Sequence, residues 1–155
     1  MSQSMKLWEM AVHEAAHLVV YIKMGGKPSK IDQVFVTEDY GYVRSDAVYS
    51  RTYGGLPEAA ITAAGIACDR IRSVQPYVGP RSDTMRLSDI LMTNEAEEEL
   101  VIDKTQGWLL TNWDIVLRTG DKLVAGVNKR GIVPRRVVKE IAVELKLQLT
   151  KAKLF

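Results

Sequence analysis

The sequence is poor in cysteine and histidine. Its 155 residues include one cysteine, Cys68, and two histidines. A single cysteine excludes an intramolecular disulfide and a multi-cysteine zinc cluster, and it is typical of a reducing compartment. No run of about 18 uninterrupted apolar residues occurs, and residues 1–6 lack the apolar stretch of a signal peptide. The sequence therefore predicts a cytoplasmic protein with no membrane partner.

An excess of charge of one sign is also lacking. The 21 Lys and Arg residues nearly balance the 19 Asp and Glu residues, which gives a formal net charge of +2. So small a charge gives no reason to expect a nucleic-acid partner. Apolar residues make up 46% and charged residues 26%, as in ordinary globular proteins. Because repeats and Pro- or Ser-rich linkers are missing, we expect one domain over residues 1–155.

Hydrophobic periodicity predicts a mainly α protein of the α+β class, with a small β-sheet inserted after the first helix. The first helix is expected at residues 5–24, ending at Gly25 and Gly26. A strand at 31–37 and a turn at 40–43 predict an antiparallel strand pair. Ser82 is the expected N-cap of a helix at 83–92. Further helices are expected at 57–73, at 95–129 with an interruption near Gly107 or Gly120, and at 134–151.

The first predicted helix contains an HExxH motif, His13-Glu14-Ala15-Ala16-His17. Residues four apart share one helix face, so both imidazoles can bind the same metal ion, with Glu14 beside them as a proton acceptor. These are the only two histidines, and chance would produce this motif from them in roughly one case in a thousand. The alternative is two histidines on a helix face with Glu14 as a nearby charge.

A catalytic zinc site needs a third protein ligand and leaves the fourth position for water. With no third histidine and a single cysteine, that ligand has to be a carboxylate. Spacing does not choose among the candidates, so five stay open at this point: Glu38, Asp46, Glu58, Asp69 and Asp83.

Four blocks of the chain resemble the FtsH family of ATP-dependent zinc metalloproteases, and they occur in the family's order. Residues 11–20, AVHEAAHLVV, are similar to the zinc motif usually written AYHEAGHALV. Residues 63–71, AAGIACDRI, resemble the helix LGGRAAEEL, and residues 79–87, GPRSDTMRL, resemble the segment GASNDLxRA. Residues 108–122, WLLTNWDIVLRTGDK, resemble the late helix LLTENRDKLDALA. The first block is specific, and the others gain weight from their common order.

The resemblance implies a zincin-like helical peptidase domain in which His13, His17 and Asp83 hold Zn²⁺ and Glu14 is the general base. It implies that Asp69 orients a histidine or serves as the alternative ligand. The resemblance covers the peptidase part only, because the motif begins at residue 13 and no GxxxxGK[ST] phosphate loop is present.

Together these features predict a zinc metallopeptidase that hydrolyses small or unfolded polypeptides and has no ATPase of its own. A peptide would pair with the open edge of the small sheet, with Tyr42 lining the groove. The alternative is a catalytically weak or inactive zinc-binding regulatory or interaction protein that keeps the metalloprotease fold. An ATPase acting in trans and a homo-oligomeric assembly stay open as partners.

Overall fold

The computed structural model describes residues 3–48, 55–75 and 82–149. Within these ranges the helices are α1 (Gln3–Lys23), α2 (Leu56–Ile71), α3 (Asp83–Ile90), α4 (Glu95–Thr111), α5 (Trp113–Gly126) and α6 (Arg135–Gln148). The strands are β1 (Ile31–Val36), β2 (Gly41–Ser45) and β3 (Ile132–Val133). The predicted mainly helical α+β class, with a small sheet after the first helix, is confirmed.

Helix α1 lies at the centre of the described structure. Residues 11, 12 and 14–22 are all buried, and the helix contacts α2, α5, α6 and strands β1 and β2. Leu18 and Tyr21 are among the largest side chains in this core, and burial of each such apolar group contributes about 1.5–3 kcal/mol. The helix ends at Lys23, just before Gly25 and Gly26, in agreement with the prediction. Gly25 adopts φ +97°, a left-handed conformation that suits glycine. The helix that carries the HExxH motif therefore packs against three helices and two strands.

The sheet is antiparallel, in the order β2-β1-β3. Val34 pairs with Val43 and Val36 with Gly41, and the valines of β1 are buried. The predicted pair of strands is confirmed. Strand β3 was not predicted, because its two residues are too short to show alternation, and it forms through pairing with β1. The outer edge of β2 pairs with no other strand in the described residues.

The predicted interruption of the 95–129 helix is present, but it lies at Asn112 and not at Gly107 or Gly120. The chain breaks between α4 and α5 at Asn112, whose backbone leaves the helical region at φ −113° and ψ 25°. Its side-chain amide donates to the carbonyl of Trp108 at 2.9 Å, so the side chain competes for a carbonyl that the helix ladder uses. Gly120 instead lies inside α5 at the contact with α1, where an added Cβ would be 2.8 Å from Cγ2 of Val12.

The remaining helix predictions agree with the structure to within three residues at each described end. Ser82 is the N-cap of α3, and its hydroxyl accepts the Met85 N–H at 3.2 Å, as predicted. Residues 79–81 of the third resemblance block and the last two residues of the predicted 134–151 helix lie outside the described ranges. None of the helices in the described residues has the length and apolar character needed to cross a membrane.

We expect the two glycines to respond oppositely to alanine. Gly107→Ala should stabilise the protein by about 0.5–1 kcal/mol, since the position is exposed, has open space around it and gains helix propensity. Gly120→Ala should cost about 1–3 kcal/mol because the new methyl overlaps Val12. Urea denaturation followed by circular dichroism measures both. Equal stabilisation by the two substitutions would contradict the close α1–α5 contact, whereas recovery by Val12→Ala in the Gly120→Ala chain would support it.

Candidate metal centre

Helix α1 brings the two histidines of the motif together on one face. The ring centroids of His13 and His17 lie 5.1 Å apart at an interplanar angle of 74°. One nitrogen from each ring and a carboxylate oxygen of Glu14 lie within 4.8 Å of one another. These three residues form a group that could hold a metal ion, and the helical spacing alone produces it.

Asp83 approaches both histidines from the first turn of α3. Its Oδ2 atom lies 3.1 Å from Nε2 of His13 and 3.0 Å from Nε2 of His17. The Ser82 cap fixes the start of α3, and with it the position of Asp83 opposite α1. Of the five candidate carboxylates, Asp83 and Asp69 contact a histidine in the described residues. Asp46 instead lies 3.8 Å from the Lys30 ammonium.

The far side of each imidazole meets a hydrogen-bond acceptor. Nδ1 of His13 lies 2.9 Å from Oδ1 of Asp69, and Nδ1 of His17 lies 2.7 Å from the carbonyl oxygen of Ile61. Because a carbonyl only accepts, Nδ1 of His17 carries a hydrogen, and the neutral ring presents its lone pair at Nε2. The carboxylate of Asp69 imposes the same preference on His13. Such outer partners orient imidazoles that bind metals.

Positive charge is therefore required between the histidines and Asp83. Two lone-pair nitrogens and a carboxylate oxygen converge within about 3 Å, and acceptors repel unless a proton or a metal ion lies between them. Burial opposes protonation of His13, but hydrogen bonds to Asp69 and Asp83 outweigh it and raise its pKa well above the usual value. Burial likewise opposes the charged form of Asp83, yet the imidazoles of His17 and His13 lower the pKa of this carboxyl.

Gly65 of α2 leaves the space that a metal ion at this point would need. A Cβ at residue 65 would overlap Oδ2 of Asp83 and lie 2.5 Å from Nε2 of His17 and 2.8 Å from Cε1 of His13. Zinc binds imidazole nitrogen at about 2.0–2.1 Å and carboxylate oxygen at about 2.0–2.2 Å, so this volume is of the right size. A tetrahedral ion also needs ligand atoms about 3.3 Å apart, a few tenths of an ångström more than observed. The residues present fit such an ion.

Glu14 lies beside these groups but is buried, with 2% of its surface exposed. Its Oε1 atom is 3.9 Å from Nε2 of His13, and its Oε2 atom has no hydrogen-bond partner among the described residues. Burial raises the pKa of this carboxyl, and the two histidines offset part of the rise. A buried carboxylate oxygen without a partner is uncommon and indicates a site for water or a bound molecule.

Tyr42 lies apart from the histidine cluster, on the sheet. A Cβ at its neighbour Gly41 would be 2.9 Å from Cγ of Glu14, so this face of β2 covers the motif. Because side chains alternate along a strand, Tyr42 points to the opposite face, where its ring stacks on Phe35 at 5.2 Å. The structure does not bring Tyr42 to the cluster, and its role in a substrate groove stays a prediction.

Sequence reasoning missed Gly65 and the Ile61 carbonyl. Gly65 is part of the block that resembles LGGRAAEEL, but its contacts with Asp83 and both histidines arise only in the folded chain. A backbone carbonyl such as that of Ile61 has no side-chain signature at all. Cys68 lies behind the motif, and burial raises the pKa of its thiol to about 12, so it is neither a nucleophile nor a ready ligand.

Comparisons with known proteins do not identify the chain. No protein-family model matches it, and no curated protein or solved structure gives a significant match. The similarity to the FtsH family therefore stays a resemblance of motifs, and the geometry of the site carries the functional argument.

Gly65→Ala should abolish metal binding without unfolding the chain. The methyl would occupy the space between Asp83 and His17, and its overlap costs stability as at Gly120, but the gain in helix propensity offsets about 1 kcal/mol of that cost. We expect at least a hundredfold loss of Zn²⁺ affinity, measured by competition with a chelator, and an unchanged far-ultraviolet dichroism spectrum. Gly107→Ala is the matched control, because a Cβ there would meet no atom of the described residues within 4 Å. Unchanged affinity in Gly65→Ala would place any bound metal elsewhere.

Asp83→Ala and Asp69→Asn should separate a ligand from an orienting carboxylate. Loss of Asp83 removes the oxygen that faces both imidazoles, so zinc content per chain should fall from near one to near zero. Asp69→Asn keeps an acceptor for Nδ1 of His13, and we expect about a 10–100-fold weaker affinity with the ion retained at high concentration. Plasma emission and chelator competition on untagged protein measure both. The reverse order of effects would make Asp69 the ligand.

Proposed function

We propose that the chain is a zinc-dependent metallopeptidase domain with an FtsH-like, zincin-like fold, which hydrolyses small or unfolded polypeptides. The observation that carries the proposal is the convergence of Nε2 of His13, Nε2 of His17 and Oδ2 of Asp83. Beside them lies the carboxylate of Glu14, one oxygen of which has no partner among the described residues. Three protein ligands with a fourth position left open are typical of catalytic rather than structural zinc.

His13, His17 and Asp83 are the proposed ligands, and Asp69 and the Ile61 carbonyl hold the two imidazoles in the required orientation. When bound, Zn²⁺ supplies a Lewis acid that polarises a peptide carbonyl and lowers the pKa of a water molecule to about 7. Histidine and carboxylate ligands are typical of such catalytic sites, whereas structural sites usually contain cysteine. The chain's one cysteine, Cys68, is buried with a raised thiol pKa.

Glu14 is the proposed general base. Its Oε2 atom, which has no partner in the part of the chain that the structure describes, can accept a proton from the attacking water and later deliver that proton to the departing amine nitrogen. A carboxyl whose pKa is raised by burial holds a proton more readily than an exposed one, which suits both steps. Its burial beneath Gly41 keeps bulk solvent from competing for the proton.

The open edge of β2 is the proposed binding site for the peptide backbone. The Val36 N–H donates to the Gly131 carbonyl at 2.7 Å, on the β3 side of β1. Because Val36 pairs with Gly41, the main-chain groups of Gly41 point away from β1, and those of Val43, two residues on, do the same. Backbone pairing at this edge, which begins at the residue that covers Glu14, requires an extended substrate and little particular sequence. Unfolded segments and short peptides meet that requirement.

Glu14→Gln should retain zinc and lose peptide cleavage, because the amide has the same shape but cannot accept the proton. We expect a fall of about 10²–10⁴-fold in the rate of cleavage of a labelled, unfolded casein substrate. Glu140→Gln, at an exposed position of α6, is the control and should cleave at the wild-type rate.

A wild-type chain that binds one zinc and cleaves no unfolded substrate would overturn the peptidase proposal. That result would favour the second candidate, a zinc-binding regulatory or interaction protein that keeps the fold without turnover. Cleavage that appears only when an ATPase is added would instead identify a peptidase that depends on a partner in trans.

A further inference from the structure

Arg72, the residue that follows α2, contacts the side chain and the backbone of Glu9 and the ring of Trp8. Its guanidinium lies 3.4 Å from the carboxylate of Glu9 and also donates to the Glu9 backbone carbonyl at 3.3 Å. It lies 5.3 Å from the centre of the Trp8 ring, and the Trp8 indole N–H donates to Asp121 of α5 at 2.8 Å. This Arg72 network (Trp8, Glu9, Arg72 and Asp121) therefore joins α1, α2 and α5.

The network lies one helical turn from the metal centre. Glu9 precedes His13 by four residues on α1, and Asp69 on α2 precedes Arg72, the C-cap of that helix, by three, so each pair lies on one side of its helix. The two helices are thus joined at successive turns by Glu9–Arg72 at 3.4 Å and His13–Asp69 at 2.9 Å. The acidic group lies on α1 in the first contact (Glu9) and on α2 in the second (Asp69).

This alternating placement of the acids favours one register of α1 along α2. A slip of one turn would place Glu9 against Asp69, or His13 against Arg72, and either contact juxtaposes groups of the same sign or removes the partner of the imidazole. The Glu9–Arg72 ion pair is also less exposed to solvent than an ordinary surface ion pair. The side chain of Arg72 is 16% exposed, compared with 36% for Arg70, which pairs with Glu99 of α4.

We propose that Arg72 is a positioning residue for the metal centre. By fixing α1 against α2 it aligns Nδ1 of His13 with Asp69, and this alignment points Nε2 towards Asp83. Arg72 acts through the His13–Asp69 pair. This inference rests on the proposed metal site, but not on peptidase activity.

Binding of Co²⁺ to the full chain tests the proposal. Arg72→Met keeps an apolar stem against Trp8 and removes the charge and the donors. We expect about a 10–100-fold weaker Co²⁺ affinity and an altered visible absorption spectrum of the Co²⁺ form, which reports ligand geometry. Arg72→Lys should recover part of the affinity. Arg70→Met, two residues away on the same helix, makes the same change in charge and should bind as the wild type does.

A double-mutant cycle with Asp69→Asn separates positioning from a general loss of stability. If Arg72 acts through the His13–Asp69 pair, Arg72→Met should cost much less affinity in the Asp69→Asn chain than in the wild type. Equal losses in both backgrounds, or wild-type affinity and spectrum in Arg72→Met, would overturn the proposal. If the Arg72→Met chain fails to fold, Glu9→Gln removes the charge from the same Glu9–Arg72 ion pair and takes the place of Arg72→Met in the cycle.

Failure of the proposed function gives a different result. A wild-type chain that binds Co²⁺ but cleaves no peptide overturns the peptidase while the cycle still decides the role of Arg72. A wild-type chain that binds no Co²⁺ overturns the metal centre and this proposal together.

Discussion

Two imidazole nitrogens facing one carboxylate oxygen are the constraint on which the site depends. Nε2 of His13 and of His17 both point at Oδ2 of Asp83, while acceptors behind each ring hold the Nδ1 hydrogens. Such an arrangement is unfavourable without a positive charge at its centre. Protons on the imidazoles can supply that charge, and Asp83 accordingly helps to raise the pKa values of His13 and His17. A divalent ion satisfies all three atoms at once, which is the physical basis of the proposed zinc site.

The scaffold meets this constraint by close packing around α1. Gly65 leaves the central volume open on the side of α2, and Gly120 lets α5 approach the back of the motif at Val12. Gly41 brings the first residue of β2 over Glu14. Each glycine lies where a Cβ would overlap the motif helix or the site itself. The charged groups can be buried because the surrounding helices supply partners for them, Asp69 and the Ile61 carbonyl among these.

Local signals predicted much of the fold. The apolar spacing of α1, its glycine stop, the alternation in β1 and the Ser82 cap each depend on a few consecutive residues, and the structure agrees with them. Gly107 and Gly120 misled the prediction, since a glycine serves equally well as a helix stop and as a point of close contact. Asn112 follows α4 and its side chain competes for the Trp108 carbonyl. Many asparagines do not compete with the backbone in this way, so the residue type alone does not predict the break. The two residues of β3 become a strand only because β1 offers them an edge.

The sequence by itself determined that two histidines and a glutamate share one face of a helix, because residues four apart on a helix are neighbours whatever the rest of the chain does. Residue spacing left five carboxylates open and the motif resemblance pointed to Asp83 and Asp69, but only the tertiary structure places these two against the histidines. Along the chain, Asp83 lies 70 residues from His13 and 66 from His17. Asp69 lies 56 residues from His13, and no local pattern encodes such contacts. Three other features likewise arise only where separate helices meet: the space at Gly65, the contact of the Ile61 carbonyl with His17, and the alternating placement of acids between α1 and α2. Their positions follow from packing, which depends on the whole chain.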